Sequence, residues 1–136
     1  IKPLDGAKEF LDKLRAETQV IILSDTFSEF ASPLMKQLGW PTIFCNSLVV
    51  DKDNMITGIK MRQNDGKRKA IEGLRALDFR TFAAGDSYND LNMIHLADKG
   101  CLFRAPENII KEEPDLKLCK TYDEFYSVIK SFIDEE

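Results

Sequence analysis

The sequence predicts a doubly wound α/β fold: a parallel sheet flanked by helices, with one β-hairpin inserted. Three observations carry that prediction. Short apolar runs of strand length alternate with stretches whose apolar residues recur at helical spacing. The runs ending at Leu23 and Ala84 stop in turns of small, acidic and hydroxyl residues, and open α/β sheets keep their binding sites at such strand ends. The alternation is broken once, where two β-rich runs flank Asp51-Lys52-Asp53-Asn54, residues suited to a hairpin turn.

Between about Asp5 and Arg15, Ala7, Phe10, Leu11 and Leu14 share a helical face, with Pro3 just upstream. Gln19 to Leu23 is a compact apolar run, expected to be buried on both faces of a parallel sheet, and it ends in Ser24-Asp25-Thr26-Phe27. Ser28 to Leu38 returns to helical spacing, with Phe30, Leu34 and Leu38 on one face and Gly39 and Pro41 as the stop. Thr42 to Cys45 reads as a third short element. Ser47–Val50 and Met55–Met61 form the arms of the hairpin.

A helix is predicted from about Gly66 to Leu77 with Ala70, Ile71 and Leu74 inward, followed by a strand through Gly85. A helix then continues through Ala97, and Gly100–Phe103 is a short strand. Pro106 and Pro114 bracket a short helix, and Asp123 to about Ile133 is an amphipathic helix with Phe125, Val128, Ile129 and Phe132 on one side.

Composition narrows the function classes. With 136 residues, 43% of them hydrophobic, the chain has length enough for one cored domain, expected to span 1–136. Its net charge of −4 gives no bulk attraction to nucleic acid or anionic membrane. Cys45, Cys101 and Cys119 are too few and scattered for a disulfide framework or a zinc site, and they read as small buried residues in a reducing compartment. No apolar run approaches the ~20 residues of a membrane span and no signal-peptide pattern opens the chain, so a cytoplasmic location is expected. The chain starts at Ile1 without an initiator Met, as a piece of a longer protein would.

Chemistry-bearing residues fall at three element ends that this fold places on one edge of its sheet. Ser24 and Asp25 follow a strand, and both are also favoured helix caps. Lys67 lies in the cluster Arg62-Gln63-Asn64-Asp65-Gly66-Lys67-Arg68-Lys69 at a helix start, where the macrodipole disfavours a cation by ~0.3–1 kcal/mol. That cost disappears if an anion binds there too. Third comes Gly85-Asp86-Ser87-Tyr88-Asn89-Asp90, whose two carboxylates repel unless a cation offsets them; carboxylate oxygens suit Mg²⁺. A hydroxyl, a lysine and paired acids make a constellation for binding a phosphoryl group, where positioning and charge neutralisation supply most of the catalysis.

Leu4-Asp5-Gly6, Ile22 through Phe27, Pro33 through Gly39, Ala83 through Asp90 and Ala105-Pro106-Glu107-Asn108 together resemble the haloacid-dehalogenase superfamily of aspartyl-phosphate phosphatases. Within it, the resemblance is to the phosphoserine phosphatase branch and its bifunctional phosphoserine phosphatase/homoserine phosphotransferase type. It implies a Rossmann-like core and Mg²⁺-dependent phosphoryl transfer through an aspartyl-phosphate. Ser24 would donate to a phosphoryl oxygen and the Asp25 backbone would help hold substrate. Lys67 would neutralise the phosphoryl group, Asp86 would bind Mg²⁺, Asn89 would contact substrate, and Asp90 would orient the metal site. The expected partners are phosphoserine, a small phosphorylated amino acid, and a second copy of the chain; nucleic acid and membrane are not among them.

The family's nucleophile is the first Asp of an Asp-x-Asp or Asp-x-Glu motif on the first, central strand, followed by a small helical cap. Strand, motif and cap are expected to be absent from this chain, which would leave the strands ending at Leu23 and Gly85 each with an unpartnered edge. Asp51-Lys52-Asp53 imitates the motif, but it is placed in the hairpin turn. Two rival readings remain: a truncated module that binds phosphate or Mg²⁺ without catalysis, and a receiver-like signalling domain, which the hairpin and the placement of Lys67 disfavour. His95, between Ile94 and Leu96, reads as a helix residue rather than a general base. Trp40, Met55, Met61 and Tyr88 read as core or pocket wall, with Tyr88 lining the substrate site.

Overall fold

The computed structural model describes the backbone over residues 3–50, 56–60 and 66–135, and side chains over 3–24, 31–43 and 67–135. The Asp51–Asn54 turn, Met55, Met61 and Arg62–Asp65 lie outside the described residues, and so do the side chains of Asp25 and Cys45. The chain forms two compact units, Ile1–Gly66 and Lys67–Glu136.

The first unit runs α1 (Ala7–Arg15), β1 (Ile21–Phe27), α2 (Ser28–Gln37), β2 (Thr42–Val50) and β3 (Ile56–Lys60), with sheet order β1-β2-β3. β1 and β2 are parallel, and β2 and β3 are antiparallel. The apolar stripes of α1 and α2 meet here: Leu11, Ala31, Met35 and Leu38 form the buried cluster, with Val20, Ile22 and Ile43 packed against it. Gly39 ends α2 in the left-handed region at φ 83°, where a residue without a Cβ is unstrained.

Three sequence expectations are corrected in this unit. The strand does not stop at Leu23: it continues to Phe27, while its pairing slips from Leu23↔Phe44 to Phe27↔Asn46. The polar residues Ser24–Thr26 thus occupy an irregular ladder rather than a turn. The third element and the first hairpin arm are one strand, because β2 pairs with β1 through its first half and with β3 through its second, from Ser47↔Lys60 to Val50↔Ile56. Trp40 is neither core nor pocket wall. At φ 57° it is the second left-handed residue after α2 and is 60% exposed, while Pro41 takes the buried place.

The second unit runs α3 (Gly66–Ala76), β4 (Phe82–Gly85), α4 (Tyr88–Leu96), β5 (Lys99–Phe103), α5 (Glu107–Glu112), β6 (Lys117–Cys119) and α6 (Tyr122–Asp134). Its sheet is parallel throughout, in the order β4-β5-β6. Ile71, Ala83, Met93, Ile94, Leu102, Ile109, Ile129 and Phe132 form its core. Cys101 and Cys119 are fully buried free thiols; burial, reinforced by the neighbouring Cys119, pushes the Cys101 thiol up to about 12. β6 escaped the sequence reading because three residues are too few to show a period.

β1 and β4 are the outer strands of their respective sheets, so each has one ladder edge without a partner among the described residues. A cavity of about 690 Å³ in the second unit lies along α6 and is lined by the starts of the three strands, Phe82 of β4, Lys99 and Gly100 of β5, and Lys117 of β6. It therefore opens at the opposite strand ends from Gly85.

Candidate active site

The candidate site of the second unit is built where β4 turns into α4. β4 carries only small residues beyond Phe82, and Gly85 ends it with a requirement of its own: a Cβ there would lie inside the Asp90 carboxylate. The close approach lets Asp90, at the third position of α4, fold back over the strand end. Its Oδ2 accepts the backbone N–H of Asp86 at 3.0 Å, the N–H of Ser87 at 3.2 Å and the Ser87 hydroxyl at 3.1 Å. Ser87 and Asp90 thus form a capping box at the start of α4.

Asp90 has a second role. Its Oδ1 accepts from Lys67 Nζ at 2.7 Å, with side chains only 8% and 16% exposed respectively. Burial drives the Asp90 carboxyl toward its neutral form, but hydrogen bonding and charge from Lys67, with the N–H groups of Asp86 and Ser87, outweigh it and hold the group below its ordinary value of 3.8. Asp90 is therefore an anion at neutral pH. It is also the anion that offsets the cost of a lysine in the first turn of α3, and Lys67 is the cation beside Asp90.

Asp86 is exposed at the strand tip, and Asn89 is exposed in the first turn of α4. Ser24, half-buried, and Asp25 lie on β1 of the first unit. Among the described residues, no three His, Cys, Asp or Glu side chains gather as a metal cluster. Both Asp90 oxygens are already engaged, which leaves Asp86 as the one acid of this loop open to solvent. A single carboxylate fits Mg²⁺, which is commonly held by one or two acids with waters and phosphate oxygens completing the shell. His95 is exposed and lies 3.1 Å from Glu113, so it is a surface helix residue. Tyr88 is 48% exposed; its phenol oxygen accepts from Asn108 Nδ2 at 2.9 Å.

Residues 1–95 match the haloacid dehalogenase-like hydrolase family. The chain belongs to that family. It is 49% identical over 124 residues to phosphoserine phosphatase ThrH of Pseudomonas aeruginosa, a match covering 91% of this chain and 60% of that protein. Identity is also 49% over 124 residues to a phosphoserine phosphatase of Pseudomonas syringae pv. tomato, covering 91% of this chain and 52% of the relative. The chain thus spans between half and two thirds of the length of these relatives.

Among solved structures, a substrate-bound phosphoserine phosphatase superposes with a TM-score of 0.70 at 25% identity, covering 87% of this chain and 59% of that one. A phospho-aspartyl intermediate analogue of phosphoserine phosphatase gives a TM-score of 0.69 at 25% identity, with the same coverage of both chains. The Rossmann-like α/β fold expected of the haloacid dehalogenase-like hydrolases is the one observed.

Asn108 and Glu112 are the site-adjacent residues that the sequence reading did not assign. Asn108 fell within a segment that carried the family resemblance, but nothing in the spacing of Tyr88 and Asn108 in sequence indicates that they meet.

Proposed function

We propose that this chain is the major part of the core of a phosphoserine phosphatase, acting by phosphoryl transfer with Mg²⁺ as cofactor. The observation that carries the reading is the part-buried Lys67–Asp90 pair, whose Asp90 binds the backbone of the exposed Asp86 at the end of β4. The pair supports this reading because a held ammonium near an exposed carboxylate suits the charge of a transferring phosphoryl group.

The residues divide the work. Ser24 donates to a phosphoryl oxygen and the Asp25 backbone holds the substrate. Lys67 neutralises the phosphoryl group and the attacking carboxylate, and Asn89 contacts the substrate. Asp90 fixes the Lys67 ammonium and, through the Asp86 and Ser87 N–H groups, the backbone of the metal-binding turn. Asp86 would hold Mg²⁺, which when bound neutralises phosphoryl charge. The nucleophile is a carboxylate on a segment outside these 136 residues. It attacks phosphorus as the serine oxygen departs, and the aspartyl-phosphate then passes its phosphoryl group to water. Homoserine is the alternative acceptor of this enzyme type. The proposed setting is the cytoplasm, with a second copy of the protein as partner.

The test compares the isolated 136-residue chain with the protein that carries it in full, using phosphate release from phosphoserine with and without Mg²⁺. The full protein is expected to turn over only with Mg²⁺, and the isolated chain to show nothing above background. Robust hydrolysis by the isolated chain that Asp51→Asn abolishes would refute the proposed nucleophile.

A further inference from the structure

The head of α4 is an exposed tyrosine, and burial does not account for it. Tyr88 is nevertheless held at its hydroxyl, which accepts from Asn108 Nδ2 at 2.9 Å, and the neighbouring Glu112 carboxylate raises the phenol above its ordinary pKa. Asn108 and Glu112 stand four residues apart on α5, hence on one face of that helix. α5 is itself anchored, because Ile109, next to Asn108, is 2% exposed in the core. A second polar link, His95 to Glu113 at 3.1 Å, joins the far end of α4 to the residue after α5.

The acidic turn is therefore held at two points. Asp90 binds the backbone N–H groups of Asp86 and Ser87 from the inside, and the Tyr88 side chain ties the following residue to α5 from the outside. Asp86, two residues before Tyr88, is the exposed ligand candidate between these points.

We infer that Tyr88, clasped by Asn108, is a positioning residue that fixes the Asp86–Asp90 turn and so sets the affinity of Asp86 for its cation. The inference rests on the proposed metal role of Asp86, but its first readout does not. In the full protein, Tyr88→Phe removes only the hydroxyl, and Asn108→Ala removes the carboxamide that donates to it; both residues are at the surface, where substitution leaves the fold intact. Backbone amide exchange at Asp86, Ser87 and Asp90 is expected to quicken about three- to tenfold in each variant, with Leu102 in β5 unchanged. Mg²⁺ affinity, titrated in the presence of inorganic phosphate, is expected to fall by a similar factor.

Unchanged exchange at the turn in both variants, or equal quickening at Leu102, would overturn the clasp. Faster exchange with unaltered Mg²⁺ affinity would overturn the positioning role. A parent protein that binds no Mg²⁺ would sink the metal reading, and the positioning role with it, while exchange would still decide whether the clasp holds the turn.

Discussion

Replacing Asp90 with Asn tests whether one buried carboxylate holds both the lysine and the acidic turn. The carboxylate accepts four hydrogen bonds, one on Oδ1 and three on Oδ2. An Asn side chain has the same shape but only one acceptor oxygen. If that oxygen faces Asp86 and Ser87, the amide nitrogen confronts Lys67 Nζ, donor against donor at 2.7 Å. If it is flipped, the nitrogen confronts two backbone N–H groups.

Either rotamer leaves a buried donor unsatisfied, at ~1–3 kcal/mol, and removes the Asp90 charge from beside an ammonium that is only 16% exposed. Breaking a buried pair costs ~3–5 kcal/mol. The site is partly open, so the lower end, about 3 kcal/mol, is expected. At ~2–4 °C per kcal/mol for a protein of 150–250 residues, the melting temperature should fall by roughly 6–12 °C. Circular-dichroism melts of the full protein read this directly. A double-mutant cycle with Lys67→Met should give a coupling of ~1–3 kcal/mol, since removing both partners leaves no orphaned charge. A melting shift below about 2 °C, with coupling near zero, would refute the claim that the pair is structural as well as functional.

Gly85→Ala should destabilise by ~1–3 kcal/mol, because the added Cβ meets the carboxylate, Cγ and Cβ of Asp90; a variant as stable as the parent in denaturant titration would show that α4 moves freely. Asp86→Asn, at an exposed position, should change stability by less than ~0.5 kcal/mol yet weaken Mg²⁺ binding roughly tenfold or more, and calorimetry showing equal affinity would remove Asp86 from the site. Because the Asp90 carboxyl is held below 3.8 in the fold, its contribution to stability is fully present above that value and is lost as pH falls through the lower folded value. Acid unfolding should therefore steepen below about pH 4 in the parent and be shallower in Asp90→Asn; parallel pH profiles would contradict the pairing.

What the sequence made legible follows from how local each signal is. The helices from Asp5 to Arg15 and from Gly66 onward show a full apolar period, and the structure places them at Ala7–Arg15 and Gly66–Ala76. The Gly85–Asp90 loop was readable because small and acidic residues behind an apolar run have few other uses. What escaped depends on partners distant in sequence. The continuity of β2 is set by two neighbours on opposite sides, and nothing in Thr42–Val50 shows where one hands over to the other. The exposure of Trp40 follows from two left-handed residues in succession, which its apolar side chain does not reveal.

The charge logic of the site was half legible for the same reason. Sequence placed an uncompensated lysine at a helix start and an uncompensated acid pair at a strand end, each needing a counter-charge. It did not reveal that Lys67 and Asp90, 23 residues apart, answer each other. Their pairing changes what each can do for a phosphoryl group. A lysine with no fixed neighbour would reach a phosphate at the cost of ordering its long side chain, up to ~1.5–2 kcal/mol. Lys67 has that ordering already made by Asp90. Part of its charge is offset before any substrate arrives, so in the proposed reaction the exposed Asp86, with the cation it would hold, would complete the neutralisation.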